Sequence, residues 1–286
     1  MRLTIQELGE MKRRGESIPM ITAYDYTAAR LVERAGVRLI LVGDSLGQCV
    51  LGYDSTIPVT MDDIVSHTKA GVRGSEESHV VADMPFMSYQ ADVRDAVQNA
   101  GRMLSEAGAQ SVKLEGGRKV TGTVSRIVDA GVPVMGHIGL TPQSIHQLGG
   151  YGIQGKTLES ARELLNDAVA LQNSGVYAIV LELIPSKLAG IITQRLSIPT
   201  IGIGSGAECD GQVQVFHDLL GLLPDFRPRH ARRYADLDES IVKAISDYTK
   251  DELRKLIEKE EKDIIAGLKW SLGATAIFAI FGITKF

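Results

Sequence analysis

The chain has 286 residues, of which 44% are hydrophobic and 23% charged, and a formal net charge of -4. That length supports one large buried core, and the balance of residues is that of an ordinary globular protein. A mildly acidic chain has no surplus of Lys and Arg to displace counterions from a phosphate backbone, so nucleic acid is excluded as the expected partner, despite a short basic run from Arg227 to Arg233.

In chain order, Met1 to Glu10 lacks the apolar core of a signal peptide. Met1 to Gly15 reads instead as a leading helix, with Thr4 and Glu7 at capping-box spacing, placed to plug or flank the bottom of the fold. The first strand is predicted over Pro19 to Ala23. A helix follows over Thr27 to Ala35, with Ala28, Leu31, Val32 and Ala35 on one face. Further short apolar runs predict strands at Leu39 to Val42, Val80 to Ala82, Ser111 to Leu114, Pro133 to Gly136, Ala178 to Leu181 and Pro199 to Ile203, with a weaker eighth at Leu219 to Leu223. Continuous apolar runs of this length suit strands buried on both faces, as in parallel sheets. Val93 to Ala107 repeats apolar residues at three-and-four spacing, and Gly36, Gly108, Gly131 and Gly175 stand where helices close. A strand-helix unit repeated about eight times predicts a (β/α)8 TIM barrel. The competing architecture, an open doubly wound sheet, lacks a G-x-G-x-x-G in its first unit. The two cysteines, Cys49 and Cys209, fit no metal spacing and suit reduced thiols in the cytoplasm.

Polar residues gather at the C-terminal ends of the predicted strands: Asp25, Asp44 and Ser45, Asp83, Lys113 and Glu115, His137, Glu182, and the glycines at 202, 204 and 206. In a parallel barrel these ends open onto one rim, where barrel enzymes place their chemistry. Helix N-capping is the competing explanation for each Asp and Ser. It does not account for Glu182, a poor N-cap, nor for Lys113, whose ammonium inside an apolar strand requires an anionic partner. Several carboxylates on one rim repel one another, which is tolerable if a divalent cation neutralises them or if one stays protonated, and oxygen donors with few His and no Cys favour magnesium over zinc. Such an ion can chelate a 2-oxo acid and stabilise its enolate, while a remaining carboxylate removes the proton beside the carbonyl. The residues alone lead as far as metal-assisted enolate chemistry on a small oxo acid.

Seven segments then carry a resemblance. Ile21-Thr22-Ala23-Tyr24-Asp25-Tyr26, Val42-Gly43-Asp44-Ser45-Leu46-Gly47, Ala82-Asp83-Met84-Pro85-Phe86-Met87 and Val112-Lys113-Leu114-Glu115-Gly116-Gly117 come first. Gly136-His137-Ile138-Gly139-Leu140-Thr141-Pro142-Gln143, Leu181-Glu182-Leu183-Ile184-Pro185 and Ile201-Gly202-Ile203-Gly204-Ser205-Gly206 complete the set in order. Together, from about Thr4 to about Lys250, they resemble the ketopantoate hydroxymethyltransferases. The resemblance implies a barrel of the phosphoenolpyruvate/pyruvate type. The implied reaction joins 3-methyl-2-oxobutanoate to the methylene of 5,10-methylenetetrahydrofolate, giving 2-dehydropantoate for pantothenate and coenzyme A synthesis. Asp44 and Asp83 are implied to bind Mg2+ and the oxo acid, Ser45 the substrate carboxylate and Lys113 the substrate. Glu115 is implied to hold a water on the metal, Glu182 to be the base and His137 to line the pocket. A homo-oligomer, a decamer, is implied as well.

After about Lys250 the resemblance ends. The domain reading is a catalytic barrel over 1-250, a charged helical linker over 251-263 and an apolar tail over 264-286. As a helix that tail would span about 34 Å, but its uncharged centre, Trp270 to Thr284, falls short of a bilayer span. A membrane anchor, an interface helix, a fused segment and disorder are its four readings. Two rival functions are an isocitrate-lyase-type carbon–carbon lyase, whose basic Lys-Lys-Cys-Gly-His loop is missing from the sequence, and a non-catalytic tethered barrel, which the retained Asp44, Asp83, Lys113, Glu115 and Glu182 argue against.

Overall fold

The computed structural model describes residues 1–223, 228 and 231–280, with side chains described up to 268. Eight parallel strands close into a barrel in sequence order: β1 Ile18–Thr22, β2 Leu39–Val42, β3 His79–Asp83, β4 Ser111–Glu115, β5 Val134–Gly139, β6 Ala178–Glu182, β7 Thr200–Ile203 and β8 Gly211–Gln214. The helices of this unit are α1 Ile5–Arg14, α2 Tyr26–Arg34, α3 Leu46–Cys49, α4 Met61–Arg73, α5 Val93–Ser105, α6 Thr121–Asp129, α7 Ile145–Leu148, α8 Leu158–Asn173, α9 Ser186–Arg195 and α10 Phe216–Leu220.

Alternation along the strands divides the core in two. Leu39, Val81, Met135, Val180 and Ile201 fill the lumen together with Leu3 and Leu8, so the N-terminal segment plugs it as the sequence predicts. Thr4 and Glu7 form the capping box that starts α1. Ile40, Val80, Val112, Ile179 and their neighbours face outward and pack under the helices. The glycines at 36, 108, 131 and 175 all take positive φ, as expected of residues that close helices.

The same alternation places the chemistry. Asp83 lies two residues beyond Val81, His137 two beyond Met135 and Glu182 two beyond Val180, so each shares the inward face of its strand. Register then sets Asp83 beside Lys113 and Glu115 beside His137 across neighbouring strands.

The eighth strand corrects the sequence reading. It is Gly211–Gln214, paired with both β1 and β7, and Leu219 to Leu223 instead ends α10 and runs into the following turn. Leu220 and Leu222 are apolar because they pack against the helix layer. Gly211 is required in β8 because a Cβ there would fall inside hard contact with the Ile18 carbonyl oxygen.

Residues Met1–Tyr234 form one compact unit and Ala235–Phe286 a second. In the second, α11 runs from Leu237 to Ile280, so the backbone is one helix through positions 250 and 263, and the division there is one of composition alone. Among the described residues no helix is long and apolar enough to cross a membrane. Side chains from 269 onward and residues 281–286, which hold most of the apolar tail, lie outside the described residues.

Candidate active site

The inward residues meet as one buried cluster at the C-terminal end of the lumen. Lys113, on β4, is 3% exposed, and its Nζ stands 2.8 Å from Asp83 Oδ1 and 3.8 Å from Glu115 Oε1. It also lies 3.2 Å from His137 Nδ1. His137 faces Glu115 Oε1 with Nδ1 at 3.4 Å and Glu182 Oε2 with Nε2 at 3.2 Å. Asp44 follows β2 through Gly43, and its backbone N–H donates to Asp83 Oδ2 at 3.1 Å. Asp44, Asp83, Lys113, Glu115, His137 and Glu182 are thus joined by one chain of contacts, although they come from five strands.

Burial governs the charges. Loss of solvent, with the charges of Asp83 and Glu115 nearby, pushes the Asp44 carboxyl well up. Burial also raises Asp83 against the pull of Lys113. For Lys113, burial opposes the ammonium, but Asp83, Glu115 and Asp44 outweigh it and hold the group above its ordinary range. Burial likewise opposes ionisation of Glu115, yet the nearby His137, the charge of Lys113 and the Gln143 N–H on its other oxygen bring it below the ordinary value. Burial and Lys113 press His137 down, but Glu115 and Glu182 carry it up to about 9. Its Nδ1 faces an acceptor and a donor: the imidazolium would donate to Glu115, and the neutral ring would accept from Lys113.

Two loops support the cluster. The one after β3 turns at Met87, which takes φ 65°, and is pinned where Ser88 N–H and Asn99 Nδ2 bond its backbone. That turn sends Tyr89 inward, where its hydroxyl accepts the Glu115 N–H at 3.0 Å and donates to Gln143 Oε1 at 2.8 Å. The one after β5 leaves through Gly139, at φ 97°, and brings Gln143 to Asp44 and Glu115. Neither Gln143 nor Tyr89 stands out in the sequence as a site residue, because neutral polar residues in loops create no charge anomaly.

The remaining predicted residues divide. Ser45 follows Asp44 in the chain, but its Oγ lies 2.8 Å from the Tyr24 hydroxyl and takes no part in the contacts that join the cluster. Asp25 is an N-cap, accepting the Ala28 N–H at 2.8 Å, so the capping explanation holds for it. Gly202 belongs to β7, where a Cβ would crowd Cys209 Sγ at 3.0 Å. A cavity of about 560 Å3 opens beside the site, lined by the end of β5, by residues that follow β4 and β5 and by α8 with its Glu163 and Asp167, but by none of the cluster's own carboxylates.

The donor set has the chemistry of a site for a hard divalent ion. Asp44, Asp83 and Glu115 offer only oxygens, all three are at most 5% exposed, and Asp83 Oδ1 and Glu115 Oε1 have no aligned hydrogen-bond donor. Among the described residues no three His, Cys, Asp or Glu side chains already close on a common point. Magnesium needs no such cage, since it is typically held by one or two carboxylates with substrate and water oxygens. The residues fit that ion.

Comparison with known proteins places the chain. Solved structures of a phosphoenolpyruvate phosphomutase from Streptomyces platensis subsp. rosaceus and of a phosphonopyruvate hydrolase share its fold. The first has a TM-score of 0.58 at 16% identity, covering 88% of each chain. The second has a TM-score of 0.58 at 14% identity, covering 76% of this chain and 81% of that one. Sequence relatives are far nearer. A 3-methyl-2-oxobutanoate hydroxymethyltransferase of Chloroflexus aurantiacus is 58% identical over 251 residues, covering 88% of this chain and 89% of its own length. The Moorella thermoacetica protein of that name is 56% identical over 254 residues, covering 89% and 94%. With residues 2–255 also matching the family profile, the chain belongs to the ketopantoate hydroxymethyltransferase family.

Proposed function

We propose that this chain transfers a one-carbon unit from 5,10-methylenetetrahydrofolate to 3-methyl-2-oxobutanoate, giving 2-dehydropantoate, with Glu182 as the base. Glu182 takes the C3 proton, and a carbon–carbon bond forms between C3 and the folate methylene as the first of its two carbon–nitrogen bonds breaks and that nitrogen takes up a proton. Water then displaces the second nitrogen, its oxygen becoming the new hydroxyl and its protons passing to the departing nitrogen and to solvent, and tetrahydrofolate is released.

The observation that carries this reading is the contact chain itself. It leads from the carboxylate of Glu182 through His137 to a buried Lys113 flanked by Asp83 and Glu115. Glu182 is the least enclosed of these groups, with its side chain 16% exposed, and so the one open to a C3 proton. His137 Nε2, 3.2 Å from Glu182 Oε2, orients that carboxylate. Lys113 and Ser45 suit the substrate carboxylate, an anion facing an ammonium held positive by its neighbours. Asp44, Asp83 and Glu115 would hold Mg2+, which when bound supplies a Lewis acid for the oxo acid's keto and carboxylate oxygens. The barrel neighbours, a phosphomutase and a hydrolase, share the fold alone. The two free cysteines, Cys49 and Cys209, support a cytoplasmic setting, and a homo-oligomer is the state that the family resemblance implies.

The test is product formation. The protein is incubated with both substrates and Mg2+, with and without EDTA, and 2-dehydropantoate is measured by mass spectrometry. Product that requires both substrates and is lost with EDTA is expected. No product under any condition would overturn the reading.

A further inference from the structure

Gln143 is 3% exposed, and its side chain uses every hydrogen-bonding position it has. Nε2 donates to Asp44 Oδ2 at 2.9 Å and to the Met84 carbonyl at 2.9 Å. Oε1 accepts from the Tyr89 hydroxyl at 2.8 Å and from Gln90 Nε2 at 3.1 Å. This fixes which way the amide points. Reversed, its oxygen would face a carboxylate and a carbonyl, both acceptors. The backbone N–H of the same residue, in the short turn Pro142–Ser144 after β5, donates to Glu115 Oε2 at 3.0 Å. One residue therefore holds one oxygen of each of two carboxylates that come from different strands. On Glu115 the oxygen left over, Oε1, is the one turned toward Lys113 and His137. Tyr89 locks the arrangement from below, since its hydroxyl also accepts the Glu115 N–H at 3.0 Å.

We propose that Gln143, locked by Tyr89, is a positioning residue that aims the Asp44 and Glu115 carboxylates at the divalent cation and oxo acid. The inference rests on the reading of the site given above and deepens it. Both carboxylates are buried and mutually repelling, so without a fixed neutral donor between them they would turn away from each other. A neutral amide provides that donor without adding charge.

The experiment uses the full chain and compares wild type with Gln143→Met, which keeps the length and removes the polar atoms, with Tyr89→Phe, and with the double variant. Mg2+ affinity is measured by isothermal titration calorimetry without substrate, and oxo-acid affinity separately at saturating Mg2+. Circular dichroism and thermal melting establish folding. Gln143→Met is expected to raise the Mg2+ Kd by about 10- to 100-fold, the range for lost supporting contacts of a metal site. Tyr89→Phe should raise it by a few-fold, with little further loss in the double variant, because both act through one amide. A wild-type Mg2+ Kd in folded Gln143→Met overturns the inference while leaving the functional reading intact. Independent, multiplicative effects of the two changes would overturn the Tyr89 lock. Should Gln143→Met fail to fold, Tyr89→Phe decides: unchanged Mg2+ affinity there overturns the inference. If the wild-type protein binds neither Mg2+ nor oxo acid, the functional reading falls and the inference with it.

Discussion

Gly139→Ala probes how the backbone places the proposed base. Gly139 and Glu182 are register partners on β5 and β6, and the Glu182 carbonyl accepts the Leu140 N–H at 2.8 Å. A Cβ on Gly139 would fall inside hard contact with that carbonyl oxygen and 2.8 Å from Ile184 Cγ2, whereas ordinary contact begins at 3.4 Å. The φ of 97° adds strain for any L-residue, on the order of 1–2 kcal/mol. To accept the methyl group, the Glu182 backbone must retreat by roughly 1 Å, and a displacement of that size at a reacting group costs about 100-fold in rate. Lys113, Asp44 and Asp83 stand on other strands, so oxo-acid affinity should stay within a few-fold. The assay pairs steady-state turnover with calorimetric oxo-acid binding at saturating Mg2+. A kcat within twofold of wild type would refute the claim that this glycine sets the base. Parallel loss of binding and turnover would mean that the loop carrying Gln143, or the lumen as a whole, had moved together with Glu182.

Two further changes test the electrostatics. Lys113→Met removes the ammonium between Asp83 and Glu115 and leaves buried carboxylates without their cation, which should cost about 3–5 kcal/mol in urea unfolding; a loss below 1 kcal/mol would show that the pairing is not structural. Glu33 accepts the N–H groups of Glu76, Glu77 and Ser78 and the Ser78 hydroxyl, and these bonds outweigh its burial and bring it down to about 2. Its folded value lies below the unfolded one of 4.5, so the unfolded chain binds more protons between them. Its contribution is therefore full above about pH 4.5 and is lost as pH falls toward 2. The melting-temperature gap between wild type and Glu33→Gln should be widest near neutrality and close in acid. A gap independent of pH would remove the anion from the explanation.

Seven strands could be read from the sequence because strands buried on both faces are short, continuous apolar runs. The eighth could not. Gly211-Gln212-Val213-Gln214 has Gln212 reaching out to the Gly206 carbonyl and a glycine forced by the Ile18 carbonyl, so a lone Val213 is all that is apolar in it, while a leucine-rich stretch further on imitates a strand. The charged site residues were readable for the opposite reason. Lys113 and Glu115 sit in a run where charge is costly, and that cost is itself the signal. Asp25 looked equivalent and is a cap, because a residue just beyond a strand can turn to either task. Gln143 and Tyr89 gave no such signal: their importance lies in which four partners a single amide satisfies, and only the folded chain brings Asp44, Met84, Tyr89 and Gln90 around it.

The most direct measurement is exchange of the C3 proton of 3-methyl-2-oxobutanoate in D2O, followed by proton NMR with Mg2+ present and folate absent. Wild type should exchange it, and Glu182→Gln should not, while binding the oxo acid within a few-fold of wild type. Exchange at the wild-type rate by Glu182→Gln would contradict the assignment of the base.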